Sequence, residues 1–390
     1  MHSVDEARAL LCGVATPIGE TEEVALAVAS GRWLVDPVVA DRDDPPFEKA
    51  LMDGYALRAA ETPGTLRQTA RIEAGQDAID PIEPGTCAWI NTGGPVPPGA
   101  DAVARVEWTR ENAGVVEIDR AVPRGEAVLP RADLVRAGDE LCSGRLDPER
   151  IAVCASAGLD PVRVRRRPVV AVIATGNELA ATPGPHDIRN SNGPLLVSLL
   201  QPYADVVDLG VVGDEIEATR AAFEIGLAYD VLVTTGGVSR GDLDLVRPAL
   251  ESLGCEVLLH GVALQPGKPF LVARRGDSFA FGLPGNPASA LVCADLFVLP
   301  FLVALQGGSF DATPARREGV LTAPVKASAE RRRVFPCVRE GDRIHPLPFR
   351  SSADLYTLPR ANGYLVIEPG ADLAEGDRAT CLVPERFAAR

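Results

Sequence analysis

Five short segments of the sequence combine glycine with polar, charged or proline residues: 175–178, 213–215, 234–244, 265–269 and 282–287. Because glycine lacks a Cβ atom, its backbone can approach a bulky anion and turn N–H groups towards it. Within these segments Ser239 offers a hydroxyl group and Lys268 offers a mobile ammonium group. One such segment alone is most simply an ordinary turn. Five of them together predict a binding site for phosphate-like oxygen atoms.

The same segments contain four carboxylates, Glu178, Asp214, Asp242 and Asp244. These groups would repel a phosphate unless a divalent cation lay between them, and Mg²⁺ is usually held by carboxylates together with phosphate oxygens. A helix N-cap is the alternative role for Asp242 and Asp244, because Pro248 indicates a helix that begins just beyond them. That alternative suits Asp242 better than Asp244. We therefore expect Mg²⁺ bound by Glu178, Asp214 and Asp244.

The elements that position these segments are short Val/Ile/Leu-rich runs that alternate with helical patterns between Pro168 and about Gly308. This alternation predicts a mostly parallel sheet covered by helices on both faces. Ligands of such sheets bind beyond the carboxyl ends of the strands, so the five segments are expected to converge at one edge. The sequence contains no complete P-loop, no dinucleotide-binding glycine motif and no evident Ser-His-Asp set.

The rest of the chain has a different pattern. Short apolar runs broken by Gly and Pro predict a small β domain inserted into an elongated helical and extended domain. Strand and turn patterns after Asp311 predict a C-terminal β domain. The fold class is thus multidomain α/β plus β, with these expected boundaries: 1–45 together with 126–164 (elongated domain), 46–125 (inserted β domain), 165–310 (α/β domain) and 311–390 (C-terminal β domain).

Composition excludes several classes of function. Lys and Arg number 39 and Asp and Glu 54, giving a net charge of −15, which argues against a nucleic-acid binder or a polybasic membrane-surface protein. The 8 cysteines form no CxxC and the 4 histidines are scattered, so no zinc-site spacing is present. Reduced thiols in an acidic chain are typical of a cytoplasmic protein.

Two apolar segments resemble targeting or membrane sequences but are better explained otherwise. The N-terminus has acidic residues and no basic region, which predicts an amphipathic helix opened by Ser3 and not a signal peptide. The apolar run 288–305 contains Asp295 and Pro300. It predicts a buried helix with Pro287 in its first turn and Asn286 as its cap, and no membrane association.

Several longer motifs carry a family resemblance. The chain reads LMDGYAL at 51–57, NTGG at 91–94 with GAD at 99–101, TGNEL at 175–179, NSN at 190–192, TTGGVSRGDLD at 234–244 and GLPGNPASA at 282–290. In this order they resemble the molybdopterin molybdenumtransferases, the MoeA and gephyrin E-domain family, over almost the whole chain. The resemblance implies that molybdate and adenylylated molybdopterin are substrates and that the adenylate is cleaved in a divalent-cation-dependent step. It also implies an elongated homodimer with its active site between subunits.

The resemblance assigns roles to individual residues. The implied catalytic residues are Asp53, Thr92, Asp133, Glu178, Asp214, Asp244 and Lys268. Those implied to bind the pterin substrate or molybdate are Thr175, Gly176, Gly236, Gly237, Ser239, Gly267, Pro269, Gly285, Asn286 and Ser352. The residues alone leave plainer roles open: Asp53-Gly54 as a hairpin turn, Thr92 as a turn hydroxyl and Lys268 as a solvated lysine.

The sequence departs from the family pattern at three positions. Gln265 stands where a lysine is usual, Leu129 lies near an expected arginine, and Cys337 takes the place of an arginine. Nearby substitutes are Arg131 for the second position and 331–333, all arginines, for the third. Each lost charged contact to an oxyanion would cost on the order of 1.5–3 kcal/mol. We therefore hypothesise altered oxyanion handling.

The expected function is molybdenum-cofactor biosynthesis by a molybdotransferase that uses Mg²⁺, with water as the attacking group. The upstream adenylyltransferase and the downstream molybdoenzymes are the implied protein partners. A pterin adenylyltransferase or nucleotide pyrophosphatase is one alternative. A non-catalytic or divergent molybdopterin-binding scaffold is another, which the departures at Gln265 and Leu129 favour. The retained Asp214, Asp244 and Lys268 argue against a scaffold, because a scaffold needs no magnesium site.

Overall fold

The structure is a computed structural model, and it describes residues 1–75, 80–238 and 245–387 of the chain. Within these ranges the strands form three six-stranded sheets and three two-stranded sheets. The α-helices are α1 (Val4–Val14), α2 (Pro148–Ser156), α3 (Asn192–Leu200), α4 (Ile216–Gly226), α5 (Val246–Ser252), α6 (Pro287–Cys293) and α7 (Leu299–Leu305).

Twelve strands precede the α/β part of the chain. They are β1 (Thr21–Val24), β2 (Val38–Val39), β3 (Lys49–Ala50), β4 (Gly54–Leu57), β5 (Gly64–Ile72), β6 (Thr86–Ile90), β7 (Ala102–Arg105), β8 (Thr109–Asn112), β9 (Val115–Ile118), β10 (Val128–Leu129), β11 (Glu140–Cys142) and β12 (Val162–Arg165).

Twelve more strands follow. They are β13 (Val169–Thr175), β14 (Asp205–Val212), β15 (Val231–Thr235), β16 (Glu256–His260), β17 (Leu264–Gln265), β18 (Leu271–Arg275), β19 (Ser278–Leu283), β20 (Ala315–Leu321), β21 (Arg332–Glu340), β22 (Arg343–Pro346), β23 (Gly363–Ile367) and β24 (Arg378–Val383).

The first sheet is an insertion between paired flanking strands. Its order is β7-β4-β6-β5-β9-β8, and all its neighbours are antiparallel except β5 and β6. On either side of it in the chain, β1 pairs with β12, β2 with β11 and β3 with β10. Each pair joins a strand before the sheet to a strand after it. The chain therefore leaves an extended arm, forms the sheet and returns along the same arm.

The second sheet is the predicted α/β sheet. Its order is β14-β13-β15-β19-β18-β16, in which β14, β13, β15 and β19 are parallel. Successive side chains of a strand point to opposite faces. Accordingly Val170 and Val172 pack with α3, α6 and α7, whereas Ala171 and Ile173 pack with α4 and α5. Both faces are covered, which confirms the predicted fold class.

Helix α1 begins with a capping box, as the Ser3 signal predicts. The Ser3 hydroxyl accepts a hydrogen bond from Glu6 N at 3.1 Å, and the Glu6 carboxylate accepts one from Ser3 N at 2.7 Å. The buried face of the helix, with Val4, Ala7 and Leu11, packs into the core of the α/β sheet. This packing was not predicted, because an amphipathic pattern does not identify the surface that it covers.

The apolar run 287–305 is continuous helical structure through α6, the π-helical turn Ala294–Val298 and α7. It has the length and hydropathy of a membrane-spanning helix, but every residue of its most apolar window is buried inside the fold. Asn286 is the N-cap residue of α6, as predicted, but its side chain makes no cap hydrogen bond. The side-chain amide of Asn286 donates to the Ser352 hydroxyl at 2.7 Å.

The third sheet is a C-terminal barrel. Strands β21, β22, β20, β24 and β23 pair in that order, and an additional pairing of β21 with β23 closes the circle. Strand β17, which comes from the α/β part of the chain, joins β21 in parallel. The barrel is thus attached directly to the segment that contains Gln265.

A prediction concerns Gly54, the first residue of β4. A Cβ atom at this position would lie 2.0 Å from the carbonyl oxygen of Ala104 on β7. Gly54 is therefore required by close strand packing, and the alternative of an Asp-Gly hairpin turn is wrong. We expect Gly54→Ala to lower the free energy of unfolding by about 1–3 kcal/mol, the usual cost of overpacking. Chemical denaturation followed by tryptophan fluorescence measures it.

Gly19→Ala is the matched control, because its added methyl group would meet nothing within 4 Å. Equal stabilities of the two variants would contradict the packing argument.

Candidate active site

The described parts of the five glycine-containing segments, which for the third are residues 234–238, lie at one edge of the α/β sheet. Four of them follow the carboxyl ends of the parallel strands β13, β14, β15 and β19. The fifth, 265–269, precedes β18, which runs antiparallel to β19 with Leu271 opposite Gly282. The start of β18 therefore lies beside the end of β19, and Lys268 reaches the same edge as the other segments.

Close backbone approach explains the glycines after β15. A Cβ atom on Gly236 would lie 2.3 Å from the carbonyl oxygen of Thr175, and the φ angle of Gly236 is +96°. Gly236 N also donates to the carbonyl of Leu283 at 3.1 Å. A side chain at position 236 would separate these loops, so glycine there keeps three strand ends together.

Asn192, at the start of α3, braces two of the loops, and the sequence did not identify it as a site residue. Its side-chain amide donates to the Thr235 hydroxyl at 2.9 Å and to the carbonyl of Gly285 at 2.7 Å. The Thr235 hydroxyl in turn donates to the carbonyl of Pro284 at 3.1 Å. The network is buried, so it fixes the loop after β19 relative to β15. The motif NSN at 190–192 was the available signal.

Two of the three proposed magnesium ligands lie on neighbouring loops. The Asp214 carboxylate accepts from Asn177 N at 3.0 Å, and Asp214 N donates to the Asn177 side chain at 2.9 Å. Glu178 folds its carboxylate over Gly176, where an added Cβ would lie 2.3 Å from a carboxylate oxygen. Both groups supply the oxygen donors that Mg²⁺ prefers. Among the described residues no cluster of three acidic, His or Cys side chains is suited to a metal ion.

The third proposed ligand, Asp244, lies outside the described residues, as do Ser239 and Asp242.

A cavity of about 330 Å³ connects this edge to the barrel. It is lined by the predicted residues Gly267, Lys268, Pro269, Asn286 and Ser352. The barrel side contributes three basic residues, Arg331, Arg333 and Arg350. The sequence analysis named the first two as nearby arginines and did not identify Arg350. In the described part of the chain no carboxylate lines this cavity. Four cationic side chains and several hydroxyl and amide groups therefore face a space that suits an oxyanion.

The three departures from the family pattern have different outcomes. Gln265 pairs in register with Arg333, and both residues line the cavity beside Lys268. Since side chains alternate along a strand, Arg332 points the other way and pairs with Asp5 and Glu368. Of the three arginines, Arg331 and Arg333 therefore remain candidates for the missing charge.

Arg131 is the arginine that could replace the one expected near Leu129. It is exposed and forms an ion pair with Asp43 at 2.8 Å.

Asp53 and Thr92 are brought together in the inserted sheet. Because β4 and β6 are antiparallel with Gly54 opposite Ile90, the residue before β4 lies beside the residues that follow β6. The Asp53 carboxylate accepts from Thr92 N at 2.6 Å and from the Thr92 hydroxyl at 2.8 Å. Hydrogen bonds from the backbone and then the side chain of Thr92 lower the pKa of Asp53.

Asp133 is exposed in a separate turn, where its backbone N–H donates to the carbonyl of Pro130 at 3.3 Å. None of the described hydrogen bonds joins Asp53, Thr92 or Asp133 to the crevice of the α/β sheet within the same chain.

Comparison with solved structures identifies the class of protein first. The fold matches MoeA proteins of molybdopterin biosynthesis from Pyrococcus horikoshii, one with a TM-score of 0.83 at 29% identity over 98% of both chains. A second structure, at 24% identity and a TM-score of 0.86, shows the same fold over 98% of this chain and 100% of the other. The fold is that of a multidomain MoeA-type protein.

Sequence comparison gives the family. The models of the MoeA N-terminal region (domain I and II), the probable molybdopterin binding domain and the MoeA C-terminal region (domain IV) match residues 2–158, 171–304 and 318–383. A molybdopterin molybdenumtransferase from Bacillus subtilis is 33% identical, covering 96% of this chain and 92% of that protein. One from Nostoc sp. is 36% identical, covering 74% and 70%. The chain belongs to the MoeA family of molybdopterin molybdenumtransferases.

The Asp53–Thr92 contact leads to a prediction. Replacing Thr92 by Val removes the hydroxyl donor but keeps the backbone N–H donor. We expect the pKa of Asp53 to rise towards its ordinary value without reaching it, as followed by carboxyl ¹³C chemical shifts during a pH titration.

The matched control is Thr109→Val, whose hydroxyl bonds to the carbonyl of Val106 and to no carboxylate. An unchanged pKa of Asp53 in Thr92→Val would show that the hydroxyl does not stabilise the carboxylate.

Proposed function

We propose that this protein transfers molybdenum from molybdate to adenylylated molybdopterin, with Mg²⁺-dependent cleavage of the adenylate and release of AMP and molybdenum-molybdopterin. Family membership and the curated relatives assign the protein to molybdenum-cofactor biosynthesis as a transferase. The observation that carries the finer proposal is the cavity beside Lys268. It combines four basic side chains with hydroxyl and amide groups, and no described carboxylate lines it.

In this proposal molybdate lies in that cavity, and the diphosphate of the substrate lies along the strand ends. Lys268 provides a point charge, while the arginines offer planar pairs of donors to oxyanion oxygens. The hydroxyl of Ser352 is held towards the cavity because it accepts from the Asn286 amide. Thr175, Gly176, Gly236 and Gly285 then bring backbone to the diphosphate, with Gly237, Gly267 and Pro269 forming the adjoining turns.

Glu178, Asp214 and Asp244 are the proposed magnesium ligands, because their carboxylates are the hard oxygen donors that this ion prefers. When bound there, Mg²⁺ supplies positive charge that offsets the charge of the diphosphate. The proposed attacking group is a water molecule and not a side chain. Lys268 stabilises charge that develops on the phosphate oxygens, because it brings a positive charge to the edge where the strands end.

We further propose that the active site is completed by a second copy of the chain. Asp53, Thr92 and Asp133 are implied site residues, yet they lie on elements that make no described hydrogen bond with the crevice of their own chain. A homodimer in which each inserted sheet reaches the partner's crevice would bring the two sets together. Asp53, kept ionised by Thr92, would then orient the water or the pterin.

The proposal includes the division of the chain into the four expected domains and a cytoplasmic location with reduced thiols. All eight cysteines are free in the structure. Contacts with the upstream adenylyltransferase and downstream molybdoenzymes belong to the same proposal.

Mixed dimers test the inter-subunit site. We expect Asp53→Asn and Lys268→Ala each to abolish molybdate-dependent formation of active cofactor from adenylylated molybdopterin. If the two residues act across the interface, a dimer of one variant chain with the other retains one intact site. Co-refolded mixtures should therefore recover about a quarter of the wild-type activity, because half of the randomly formed dimers are mixed.

Mixtures that stay inactive although mixed dimers form would place both residues in one chain's site. Wild-type protein that binds the pterin but never releases AMP would support the scaffold alternative instead. Turnover of ATP with free molybdopterin would support the adenylyltransferase.

The arginines of the barrel generate a second prediction. If Arg333 supplies the charge that Gln265 lacks, Arg333→Gln should raise the molybdate concentration for half-maximal rate by about 10-fold to 100-fold, the effect of losing one charged hydrogen bond. Gln265→Lys should change it little in the wild type and should partly restore the Arg333→Gln variant.

Arg343→Gln, on the neighbouring strand β22 and outside the cavity, is the control for a general charge effect. The wild-type protein could instead need an unusually high molybdate concentration, which Gln265→Lys alone would lower. That result would contradict the proposal that Arg333 supplies the missing charge, and it would support the altered oxyanion handling hypothesised from the sequence.

A further inference from the structure

A second cavity, of about 530 Å³, lies on the opposite side of the barrel strands from Arg332. It forms where Trp33 of the extended arm and Val303 of α7 meet strands β20, β21 and β24. Its volume is in the range of small-molecule sites. It shares no lining residue with the cavity beside Lys268. We name it the Trp33 cavity.

One carboxylate, Glu385, is among the described residues that line the Trp33 cavity, and it is already occupied. It forms an ion pair with Arg145 and accepts a hydrogen bond from the Tyr203 hydroxyl at 2.7 Å. The Arg145 guanidinium also stacks on the Tyr203 ring, 5.7 Å from its centre. These three side chains form a closed group that leaves no negative charge for the other basic residues of the cavity.

Two further arginines line the cavity without a carboxylate partner in the described part of the chain. Arg317 makes one described side-chain hydrogen bond, to the neighbouring carbonyl of Arg316 at 2.9 Å. The Nε of Arg339 is buried and has no hydrogen-bond partner among the described residues. A buried donor without an acceptor is costly, and native structures usually satisfy such groups with a ligand, an ion or water.

The backbone holds Arg339 firmly in this position. Its N–H donates to the Asn362 side-chain oxygen at 2.6 Å, and its carbonyl accepts from the Asn362 amide at 3.0 Å. Strand pairing fixes the other arginine, because position 317 lies opposite Cys381 in β24. Both arginines are therefore anchored at their backbone by strands of the same barrel, so that ligand binding has to order their side chains but not the chain that carries them.

The remaining walls are apolar. Trp33, Val303, Val383 and Phe387 provide aromatic and aliphatic surface, and the buried Thr313 provides a hydroxyl. Such walls suit a flat apolar body, whereas paired guanidinium groups suit a phosphate.

We infer that the Trp33 cavity binds an organic phosphate with an aromatic body, whose phosphate oxygens accept hydrogen bonds from Arg317 and Arg339. This site is separate from the proposed active site and does not depend on it.

Isothermal titration calorimetry with 1-naphthyl phosphate tests the inference on the full-length chain. We expect one molecule bound per chain, and binding weaker by on the order of tenfold or more in Arg317→Gln and in Arg339→Lys, which keeps the charge but loses the Nε donor. 1-Naphthol, which has the ring without the phosphate, should bind more weakly than 1-naphthyl phosphate by a similar factor. Lys268→Ala should bind like the wild type, because Lys268 lies in the other cavity.

Arg316→Gln is the matched control. Arg316 is adjacent to Arg317 on β20 and faces the opposite side, where it lines a cavity with Arg8 and Arg332. Binding weakened equally by Arg316→Gln and Arg317→Gln would reduce the effect to net charge and overturn the inference. So would the absence of binding to the wild type, or binding that is lost in Lys268→Ala. Arg317 is exposed, so its variant should fold even if an Arg339 variant does not.

Discussion

A buried carboxylate in the middle of the most apolar helix constrains how the parts of this protein fit together. Asp295 is 1% exposed and is surrounded by the aliphatic core. It accepts a hydrogen bond at 2.7 Å from the Tyr364 hydroxyl of β23, and a bidentate pair from Arg386 near the end of the barrel. Breaking such a buried pair costs about 3–5 kcal/mol, because the remaining charge is left unsolvated. The barrel is therefore bound to the central helix at one defined position.

The electrostatics of this group agree with that role. Burial alone would lower the pKa of Arg386, but Asp295 and Tyr364 together outweigh burial and raise it. Burial raises the pKa of Tyr364, so its hydroxyl keeps the proton that it donates. An ion pair of this kind gives less net stability than an apolar core would, but it specifies geometry, which we regard as its contribution here. The position of the barrel matters because the cavity beside Lys268 and the Trp33 cavity both depend on arginines anchored in its strands.

Much of the fold was predictable because its signals are local. Val/Ile/Leu runs that alternate with helical patterns define a parallel sheet wherever they occur, and the Ser3 capping box marks the start of α1. The edge that gathers the glycine-containing loops follows from strand direction alone. Lys268 lies at that edge because its segment precedes β18, which runs antiparallel to β19. The sequence does not indicate the direction of β18. Asn286 shows the limit of local rules, because it occupies the N-cap position while its side-chain amide binds a hydroxyl group of a distant segment.

The parts of the site that could not be predicted depend on contacts between distant segments. Nothing near Gln265 in the sequence indicates that β17 pairs with β21, yet this pairing decides that Arg333 lies beside it. The alternation of a strand then divides three consecutive arginines between two cavities, with Arg332 turned towards Asp5 of α1 and the other two towards Lys268. A charge that is missing from one segment is thus accompanied in the cavity by charges from another. For this reason, a departure from a family motif cannot be judged by its own segment alone: the charge of the cavity beside Lys268 is a property of its whole lining, and the barrel contributes three of the four cationic side chains.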